Sequence, residues 1–519
     1  MYDLHSILIQ LKKEDTPLHG VMVRCVRCFY QWLDPTLWEG SALFELWAQE
    51  LELIYGDLRQ RLSPNAKTDA GSLGDRFGFD TPPELPRLLQ SIQTFYSVLI
   101  KLIAWNTLRG ATPEPPLTEL LSGRAFVNRG IRNFCGDDWY IWPLDIWDPA
   151  LETQCEELRA CLDAFDTCPE GSTLSPDSFS RIYETVVPPA LRHALGEYYT
   201  PGWLAERTLQ NAVSASGQQA GELRFLDPAC GSGSLLLKVE KVLGKDNIER
   251  GFYGQEIDLT TYNLCRINMF LHNIEFDKFS IVREDTLLSP QHWDDQPFEL
   301  IVSNPPFSVP WEGDKNVTLI NDPRFAPAGV LAPASKGDMA FIMHSLSWLA
   351  SNGTAAIVCF PGIMYRGGAE QKIRKYLVDN NYIDCIIQLP SNLFFGTSIA
   401  TCIMVMKKNK TDNKTLFIDA TSECVKVTNN NKLTSENIER IVDVFAKREE
   451  MEHFAHLASY EEVSGNDYNL SVSTYVEAED TREKIDIVKL NAEIKEIVVR
   501  EQVLRDEIDK IIAEIEVNS

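Results

Sequence analysis

Short apolar runs alternate with amphipathic segments of helical periodicity through the middle of the chain. The helical segments cover residues 234–243, 259–272, 339–350 and 371–380. The apolar runs cover residues 223–226, 251–257, 280–283, 299–302, 354–360, 384–389, 401–406 and 416–418. This alternation predicts a doubly wound, Rossmann-like α/β fold, with a mainly parallel sheet between two layers of helices. Ligands of such a sheet bind at the carboxyl ends of its strands.

The regions on either side of the alternating pattern have helical periodicity. Apolar residues recur every three or four positions in about 4–61 and again in 87–108. We therefore predict a mainly α-helical N-terminal domain at 1–185, the sheet domain at 186–428 and a C-terminal helical region at 429–519.

The end of the chain carries a heptad-like pattern. Its apolar residues alternate between spacings of three and four, with Glu501 at the one break, which predicts a coiled-coil tail. An apolar stripe of this kind is typical of a binding surface, although a solvated helix or one packed within the chain is the alternative. The residues of the stripe are Ile487, Leu490, Ile494, Ile497, Leu504, Ile508, Ile511 and Ile515.

Composition and charge narrow the class of protein. At 519 residues the chain is long enough for about three domains, and 44% hydrophobic and 24% charged residues are typical of a folded globular protein. A formal net charge of −26 is unusual for a chain that binds DNA alone, so any contact with nucleic acid should be local or shared with a more basic subunit.

Cysteine usage and the start of the chain bear on its compartment. The twelve cysteines have no regular spacing, and no apolar leader is evident, so we expect reduced thiols and a cytoplasmic protein. Cys25 and Cys28 have zinc-like spacing but no second pair, so we expect no metal there. The apolar stretch 95–105 is too short to span a membrane and predicts a core helix.

Four successive predicted strands end in the polar residues Asp227, Glu256, Asp285 and Asn304. Uncompensated polar groups at such buried ends would cost stability, which favours a binding site over chance. The loop DPACGSG at 227–233 suits a nucleoside-bearing cofactor, because its glycines allow a tight turn at a helix N-terminus. It matches neither a phosphate-binding P-loop nor the G-x-G-x-x-G pattern of dinucleotide sites. Glu256 is placed to accept hydrogen bonds from ribose hydroxyls.

Residues 303–307 read SNPPF and directly follow an apolar run. Proline ends sheet pairing and stiffens the backbone, which leaves carbonyl groups available as acceptors. Asn304 adds a side-chain carbonyl, and Phe307 offers a flat face for stacking. The segment could bind a planar amino group, although a strand followed by a Pro-Pro turn is the simpler alternative.

Further motifs accompany those already described. In chain order the whole set is GEYYTP at 196–201, DPACGSG at 227–233, QE at 255–256, Asp285, NPPF at 304–307, KGDMAF at 336–341, FPG at 360–362, YRGGAE at 365–370, LPSNLFFGT at 389–397, FIDA at 417–420 and NDYNL at 466–470. The order of the motifs up to NPPF resembles that of amino-group DNA methyltransferases that use S-adenosylmethionine, in the arrangement typical of adenine-N6 enzymes. The motifs from KGDMAF onward resemble the modification subunit of type I restriction-modification systems, and the resemblance covers about residues 190–475. The first 185 residues resemble that family less, and 179–201 is closer to larger single-chain adenine methyltransferases of phage-defence and restriction systems.

The resemblance implies a role for each matching residue. Glu256 should hold the ribose of S-adenosylmethionine and Asp285 its adenine, although Asp285 could be a surface turn acid. Phe394 or Phe395 could form a second wall of the base pocket, with burial in the core as the alternative. The residues implied to lie around the methionine end of the cofactor are Glu197, Tyr198, Tyr199, Thr200, Pro201, Gly202, Asp227, Gly231, Ser232, Gly233 and Ser234. The implied catalytic residues are Asn304, Pro305, Pro306 and Phe307.

The implied mechanism is direct methyl transfer to a flipped adenine. The base would leave the duplex stack and lie against Phe307. Acceptance of both amine hydrogens by Asn304 Oδ1 and the Pro305 carbonyl would localise the nitrogen lone pair toward the sulfonium methyl. Such a transfer depends on positioning and electrostatics and needs no metal.

The implied partners are double-stranded DNA, a DNA-specificity subunit that binds two copies of this chain, and a separate motor-nuclease subunit for restriction. No membrane partner is expected. Two other functions fit the same motifs: methylation of a protein glutamine, whose planar amide suits the Asn-Pro-Pro segment, and a catalytically silent scaffold that binds S-adenosylmethionine in a defence complex. The long helical flanks argue against the first, and the intact NPPF segment argues against the second.

Overall fold

The structure is a computed structural model. It describes residues 2–34, 44–49, 74–108, 112–127, 139–165, 178–188, 223–243, 251–272, 274, 276–393, 400–427, 430–477 and 487–517. The chain forms two compact units, Met1–Val476 and Glu477–Ser519. The predicted boundaries at residues 185 and 428 stay predictions.

The described part of the N-terminal region is helical. Asp3 begins the first helix by accepting hydrogen bonds from the backbone N–H groups of His5 and Ser6, and Thr16 precedes a second helix that has Pro17 at its first position. The helices are α1 (Leu4–Lys12), α2 (Pro17–Trp32), α3 (Leu85–Leu108), α4 (Leu117–Leu121), α5 (Arg124–Val127), α6 (Pro143–Ile146), α7 (Pro149–Asp163) and α8 (Ser178–Val186).

Helix α3 is the centre of this helical layer. It is the one helix among the described residues that is long and apolar enough to cross a membrane, and 94% of its apolar window is buried inside the protein. The prediction of a core helix at 95–105 is confirmed, because Phe95, Leu99 and Ile103 are fully buried. Cys25 lies in the same core, and no group of residues in the described part of the chain could hold a metal ion.

The middle of the chain forms a nine-stranded sheet in the order β11-β8-β6-β7-β5-β4-β1-β2-β3. Strand β7 is antiparallel to both β5 and β6, and the pairs from β3 across to β5 are all parallel. The strands are β1 (Phe225–Asp227), β2 (Phe252–Glu256), β3 (Phe279–Arg283), β4 (Phe298–Ser303), β5 (Leu349–Cys359), β6 (Ile383–Gln388), β7 (Cys402–Lys407), β8 (Thr415–Asp419) and β11 (Ala455–Ala458), with β9 (Val425–Val427) and β10 (Asn430–Lys432) as a separate antiparallel pair.

Helices cover both faces of the sheet, which confirms the predicted doubly wound α/β class. On one face, α9 (Ser234–Leu243), α10 (Leu259–Leu271) and α13 (Ser435–Lys447) contribute to the core that contains Phe225 and Leu300. On the other, α11 (Asp338–Trp348), α12 (Ala369–Asp379) and α14 (Tyr460–Gly465) contribute to the core that contains Leu226 and Ile301. Neighbouring strand residues therefore point to opposite cores, as the two-residue repeat of a strand requires.

The sheet extends past residue 428, where only helices are predicted. Strand β11 pairs antiparallel with β8, from Ala455 opposite Ile418 to Ala458 opposite Thr415. Its sequence AHLA is too short for its periodicity to distinguish a strand from a helix, and it forms a strand because β8 offers an unpaired edge.

The second unit contains one long helix, α15 (Ile487–Val517), hereafter the tail helix. From Leu490 onward, the apolar side chains of its predicted stripe are largely exposed, from 45% for Leu490 to 64% for Ile497.

Candidate active site

The carboxyl ends of β1, β2 and β4 lie side by side at one edge of the sheet. Asp227 stands opposite Gly254 of β2, and Leu226 stands opposite Ile301 of β4. The residues that end these three strands, among them Glu256 and Ser303, therefore meet at the edge where parallel sheets bind their ligands.

Asp227 is a buried carboxylate held by two donors. It is 1% exposed, and its Oδ1 accepts hydrogen bonds from the Ala229 backbone N–H at 3.1 Å and from the Ser303 hydroxyl at 2.7 Å. Burial raises the pKa of Asp227 to about 7, although both hydrogen bonds favour the ionised form. The bond from Ser303 joins the first strand directly to SNPPF.

Glu256 joins the second strand to the glycine loop. Its Oε2 accepts from the Gly231 N–H and its Oε1 from the Asp258 N–H, both at 2.9 Å. Burial raises the pKa of Glu256 to about 7. Each carboxylate oxygen has two lone pairs, so these bonds orient Glu256 and leave acceptor capacity for a ligand.

The two glycines of the loop serve different purposes. Both have left-handed backbone conformations, with φ of +51° at Gly231 and +77° at Gly233. A Cβ at Gly233 would lie 2.6 Å from the Cys265 sulfur, so this glycine permits close packing against α10. A Cβ at Gly231 would meet nothing within 4 Å, so the backbone there borders open space. This space lies next to two carboxylates, which can accept hydrogen bonds from the hydroxyl groups of a ligand.

Asp285 follows β3 in a tight turn, residues 284–289, hereafter the Asp285 turn. Its Oδ1 accepts from the N–H groups of Leu287 at 2.8 Å and Leu288 at 3.3 Å. Burial raises its pKa. These bonds stabilise the turn, as a structural acid would, and also fix the carboxylate direction. The role of Asp285 in binding adenine stays a prediction.

SNPPF leaves the end of β4 and is held at its far end. Pro305 is buried, and Phe307 packs partly buried against the sheet core. Ser308 has φ of +53°, and its N–H donates to both carboxylate oxygens of Asp338 at 3.1 Å. Asp338 is the first residue of α11, and burial raises its pKa. Asp338 belongs to the KGDMAF motif, but nothing in the sequence around it predicts this contact.

Some predicted site residues cannot be placed. Glu197, Tyr198, Tyr199, Thr200, Pro201 and Gly202 lie outside the described residues, as do Phe394 and Phe395. The assigned roles of all the site residues stay predictions. Ser303, by contrast, is not among the predicted site residues, because nothing local in the sequence reveals its contact with Asp227, 76 residues away.

A family model described as N-6 DNA Methylase matches residues 174–484, more than half of the chain. The chain belongs to the N-6 DNA methylase family. The match spans the Asp227 loop, SNPPF and every other motif of the resemblance, so the suspected family is confirmed.

Two curated proteins similar to this methylase are named as methylase subunits of type I restriction enzymes. The methylase is 45% identical over 383 residues to the methylase subunit of a type I restriction enzyme from Mycoplasma pneumoniae, which covers 71% of this chain and 70% of the relative. It is 34% identical over 328 residues to a type I methylase subunit from Methanocaldococcus jannaschii, covering 60% and 55%.

A solved structure extends the likeness to the fold. The type I restriction-modification methyltransferase subunit from Streptococcus thermophilus superposes with a TM-score of 0.61 at 26% identity, covering 91% of this chain and 98% of that one. The methylase is thus an adenine-specific DNA methyltransferase of the kind that serves as modification subunit in type I systems. Nothing in these comparisons favours glutamine methylation or a silent scaffold.

Proposed function

We propose that this methylase transfers a methyl group from S-adenosylmethionine to the exocyclic amine of a flipped adenine bound at SNPPF. The observation that carries the proposal is the 2.7 Å hydrogen bond from the Ser303 hydroxyl to Asp227. The bond joins the residue before Asn304 to the carboxylate beside the glycine loop. It therefore links the segment proposed to bind the target base to the loop proposed to bind the cofactor, which a direct transfer must bring together.

The cofactor side is formed by the residues around the glycine loop. Glu256, oriented by Gly231 and Asp258, accepts from the ribose hydroxyls, and Asp285 accepts from the adenine amine. Gly231 borders the open space in which the cofactor lies. By resemblance, residues 197–202 close over the methionine end. When bound, S-adenosylmethionine supplies an electrophilic methyl on a sulfonium.

The substrate side is formed by SNPPF. The amide oxygen of Asn304 and the carbonyl of Pro305 each accept a hydrogen bond from one N–H group of the target amine. These two bonds make the lone pair of the amine nitrogen available for attack. The N–C bond forms as the S–C bond breaks, and the nitrogen then loses one proton to solvent. Phe307 stacks on the flipped ring, which offsets part of the lost base stacking.

The decisive experiment is Asn304→Ala. For the methylase in complex with a DNA-specificity subunit, we expect a loss of at least about 100-fold in kcat for methyl transfer to unmodified genomic DNA, with S-adenosylmethionine affinity by calorimetry unchanged, because the lost contact is to the substrate amine. Asn304→Asp keeps an acceptor oxygen and should retain part of the activity. Asn380→Ala, on the surface at the end of α12, is the control for a neutral asparagine change. Wild-type turnover in Asn304→Ala would rule out this mechanism.

We further propose that the methylase works in a complex with a DNA-specificity subunit and a second copy of itself, to which a motor-nuclease subunit can bind. The acidic net charge of −26 supports a more basic partner for phosphate neutralisation. The tail helix supports a helical docking element, because its stripe of isoleucines and leucines is largely exposed.

The tail can be tested by placing charges in its stripe. Replacement of Ile494, Leu504 and Ile511 by Asp should abolish copurification with the specificity subunit and sequence-specific methylation. The affinity for S-adenosylmethionine should not change, because no residue of the cofactor side is altered. The matched control places Asp at Lys495, Arg505 and Lys510 of the same helix. Normal assembly of the isoleucine and leucine variant would exclude the tail helix as the docking element.

A further inference from the structure

Residues 309–337, hereafter the insert, connect SNPPF to α11 without a strand of their own. The insert contains three short 3₁₀ segments, Gly313–Lys315, Val317–Asn321 and Ala326–Ala328. Its two ends are joined by backbone hydrogen bonds, from Gly337 N to Val309 O at 2.8 Å and from Trp311 N to Ala334 O at 2.9 Å. The insert is therefore a closed loop that begins and ends beside the proposed substrate segment.

Arg324, in the middle of the insert, is 1% exposed, and its guanidinium has acceptors for all five N–H donors. Nε and Nη2 donate to the Asp322 carboxylate at 3.0 and 2.7 Å. Nη1 donates to Thr286 O at 2.7 Å and lies 3.2 Å from His344 Nδ1, and Nη2 also donates to Leu287 O at 2.7 Å. A buried charge is tolerated only when it is paired and fully hydrogen-bonded, and Arg324 meets both conditions.

The nitrogen of His344 that faces Arg324 must act as an acceptor. Burial and the nearby Arg324 hold the pKa of His344 well below its usual range, so the ring is neutral and can accept at Nδ1. The contact is therefore a hydrogen bond and not a repulsion between two cations.

Two of the four acceptor groups of Arg324 belong to the Asp285 turn. Thr286 and Leu287, whose carbonyls accept from it, directly follow Asp285 in sequence, and the Leu287 N–H donates back to the Asp285 carboxylate. The Thr286 hydroxyl donates to Pro228 O at 2.6 Å, which ties the same turn to the loop after β1. Movement of Arg324 would therefore move the Asp285 carboxylate.

We propose that Arg324 is a positioning residue for the cofactor site, which holds the Asp285 turn so that its carboxylate meets the adenine amine. The insert thereby connects the two halves of the site. One end follows SNPPF, the other runs into Asp338, which holds Ser308, and the middle holds the Asp285 turn. This inference rests on the proposed role of Asp285.

The test compares two ligands whose purines differ at the edge that Asp285 would recognise. S-adenosylhomocysteine has an exocyclic amine at C6 and an acceptor nitrogen at N1, whereas S-inosylhomocysteine has a carbonyl at C6 and an N–H at N1. Calorimetry with the full chain gives the ratio of their affinities, and we expect the wild type to prefer the adenosyl ligand by about tenfold or more. A general loss of stability would weaken both ligands alike and leave the ratio unchanged.

Arg324→Lys should lower this preference at least about threefold, because a compact ammonium lacks the planar fork with which the guanidinium binds Asp322 on one side and both carbonyls on the other. Arg374→Lys is the matched control. Arg374 is also 1% exposed and donates to backbone carbonyls, of Ile363 and Tyr468, away from the Asp285 turn. It should destabilise the fold yet keep the wild-type ratio. If Arg324→Lys does not fold, Asp322→Asn tests the same contact with Arg324 in place.

Asp285→Ala separates failure of the inference from failure of the proposed function. A ratio near one in Asp285→Ala, with a lowered ratio in the Arg324 or Asp322 variant, supports the inference. A ratio that falls in Asp285→Ala alone overturns the positioning role of Arg324 and leaves the cofactor site standing. An unchanged ratio in Asp285→Ala overturns the assignment of Asp285 to adenine, and the inference with it.

Discussion

On the cofactor side of the sheet edge, the carboxylates at the strand ends are oriented by backbone N–H groups close by, whereas SNPPF is fixed by a carboxylate from a distant helix. Asp227 and Glu256 accept from backbone N–H groups of the loops that follow β1 and β2. At the end of β4 a backbone N–H again donates to a carboxylate, but both accepting oxygens belong to Asp338 of α11, 30 residues away from Ser308.

In the proposed mechanism, the difference follows from what each side has to bind. Ribose hydroxyls and an adenine amine are donors, so the cofactor side needs oriented acceptor side chains. The target amine is to be held partly by a main-chain carbonyl, that of Pro305, so there the backbone itself must be fixed. The backbone is fixed by the two prolines, by the left-handed backbone conformation of Ser308 and by the hydrogen bonds from the Ser308 N–H to Asp338. Variants on the cofactor side should therefore lower the affinity for S-adenosylmethionine, whereas variants on the substrate side should lower kcat.

The largest effect on the cofactor side is expected from Asp227→Ala. The variant removes a buried acceptor and leaves the Ser303 hydroxyl and the Ala229 N–H without it, so S-adenosylmethionine affinity should fall about 100-fold or more. Glu256→Ala should weaken binding in the same way, because it also frees the Gly231 N–H. Calorimetry is the measurement. If both variants bind the cofactor like the wild type, the proposed pocket is not there.

On the substrate side, Asp338→Ala should lower kcat about 10- to 100-fold while S-adenosylmethionine affinity stays within about twofold. Ser308 loses the acceptor that holds its N–H, so SNPPF can move away from the geometry required for transfer. Asp338→Asn keeps one acceptor oxygen and should recover part of kcat. A loss of cofactor affinity equal to the loss of kcat would erase the distinction between the two sides.

Cofactor binding should also depend on pH. Burial raises the pKa values of Asp227 and Glu256 to about 7, so both carboxyls are increasingly protonated below that pH. Ionised carboxylates are the stronger acceptors, so S-adenosylmethionine affinity should fall as pH drops below 7, by up to about tenfold per unit for one group, and level off above it. Glu256→Gln removes one titrating group and should flatten the profile. An equally steep profile in that variant would exclude Glu256 as the titrating group.

The stability of the cofactor-free chain should change in the opposite direction. Because the folded-state pKa of each carboxyl lies above its unfolded value, the folded chain binds more protons between about pH 4 and pH 7. The contribution of these two carboxyls to the free energy of unfolding is therefore present at low pH and is lost as pH rises through 7. Thermal melts at several pH values, compared with melts of Glu256→Gln, measure that contribution.

The sequence predicts the parts of this site that are local and misses the parts that join distant segments. Strand ends at Asp227, Glu256 and Asn304 follow from apolar runs and their polar terminators, and the helices follow from periodicity. The contacts Ser303 to Asp227, Ser308 to Asp338 and Arg324 to the Asp285 turn span 30 to 76 residues, and no spacing rule encodes them. Arg324 in particular sits in a segment without periodicity, where a charged residue is expected at the surface.

The smallest and most specific effect is expected from a single methyl group at Gly231, with Gly329 of the insert as its matched control. Both glycines have left-handed φ, +51° and +65°, and at both a Cβ would meet nothing within 4 Å. Alanine at either position should therefore cost about the same, roughly 1–2 kcal/mol of stability, from backbone strain alone.

The two alanine variants should then differ in cofactor binding. At Gly231 the methyl group enters the space proposed for the cofactor, so S-adenosylmethionine affinity should fall several-fold, whereas at the exposed Gly329 it enters solvent and affinity should stay at the wild-type value. Thermal melts give the first comparison and calorimetry the second. Equal melting temperatures with a loss of affinity confined to Gly231→Ala would place the cofactor against this loop. Equal affinities in the two variants would mean that the open space beside Gly231 is not where the cofactor lies.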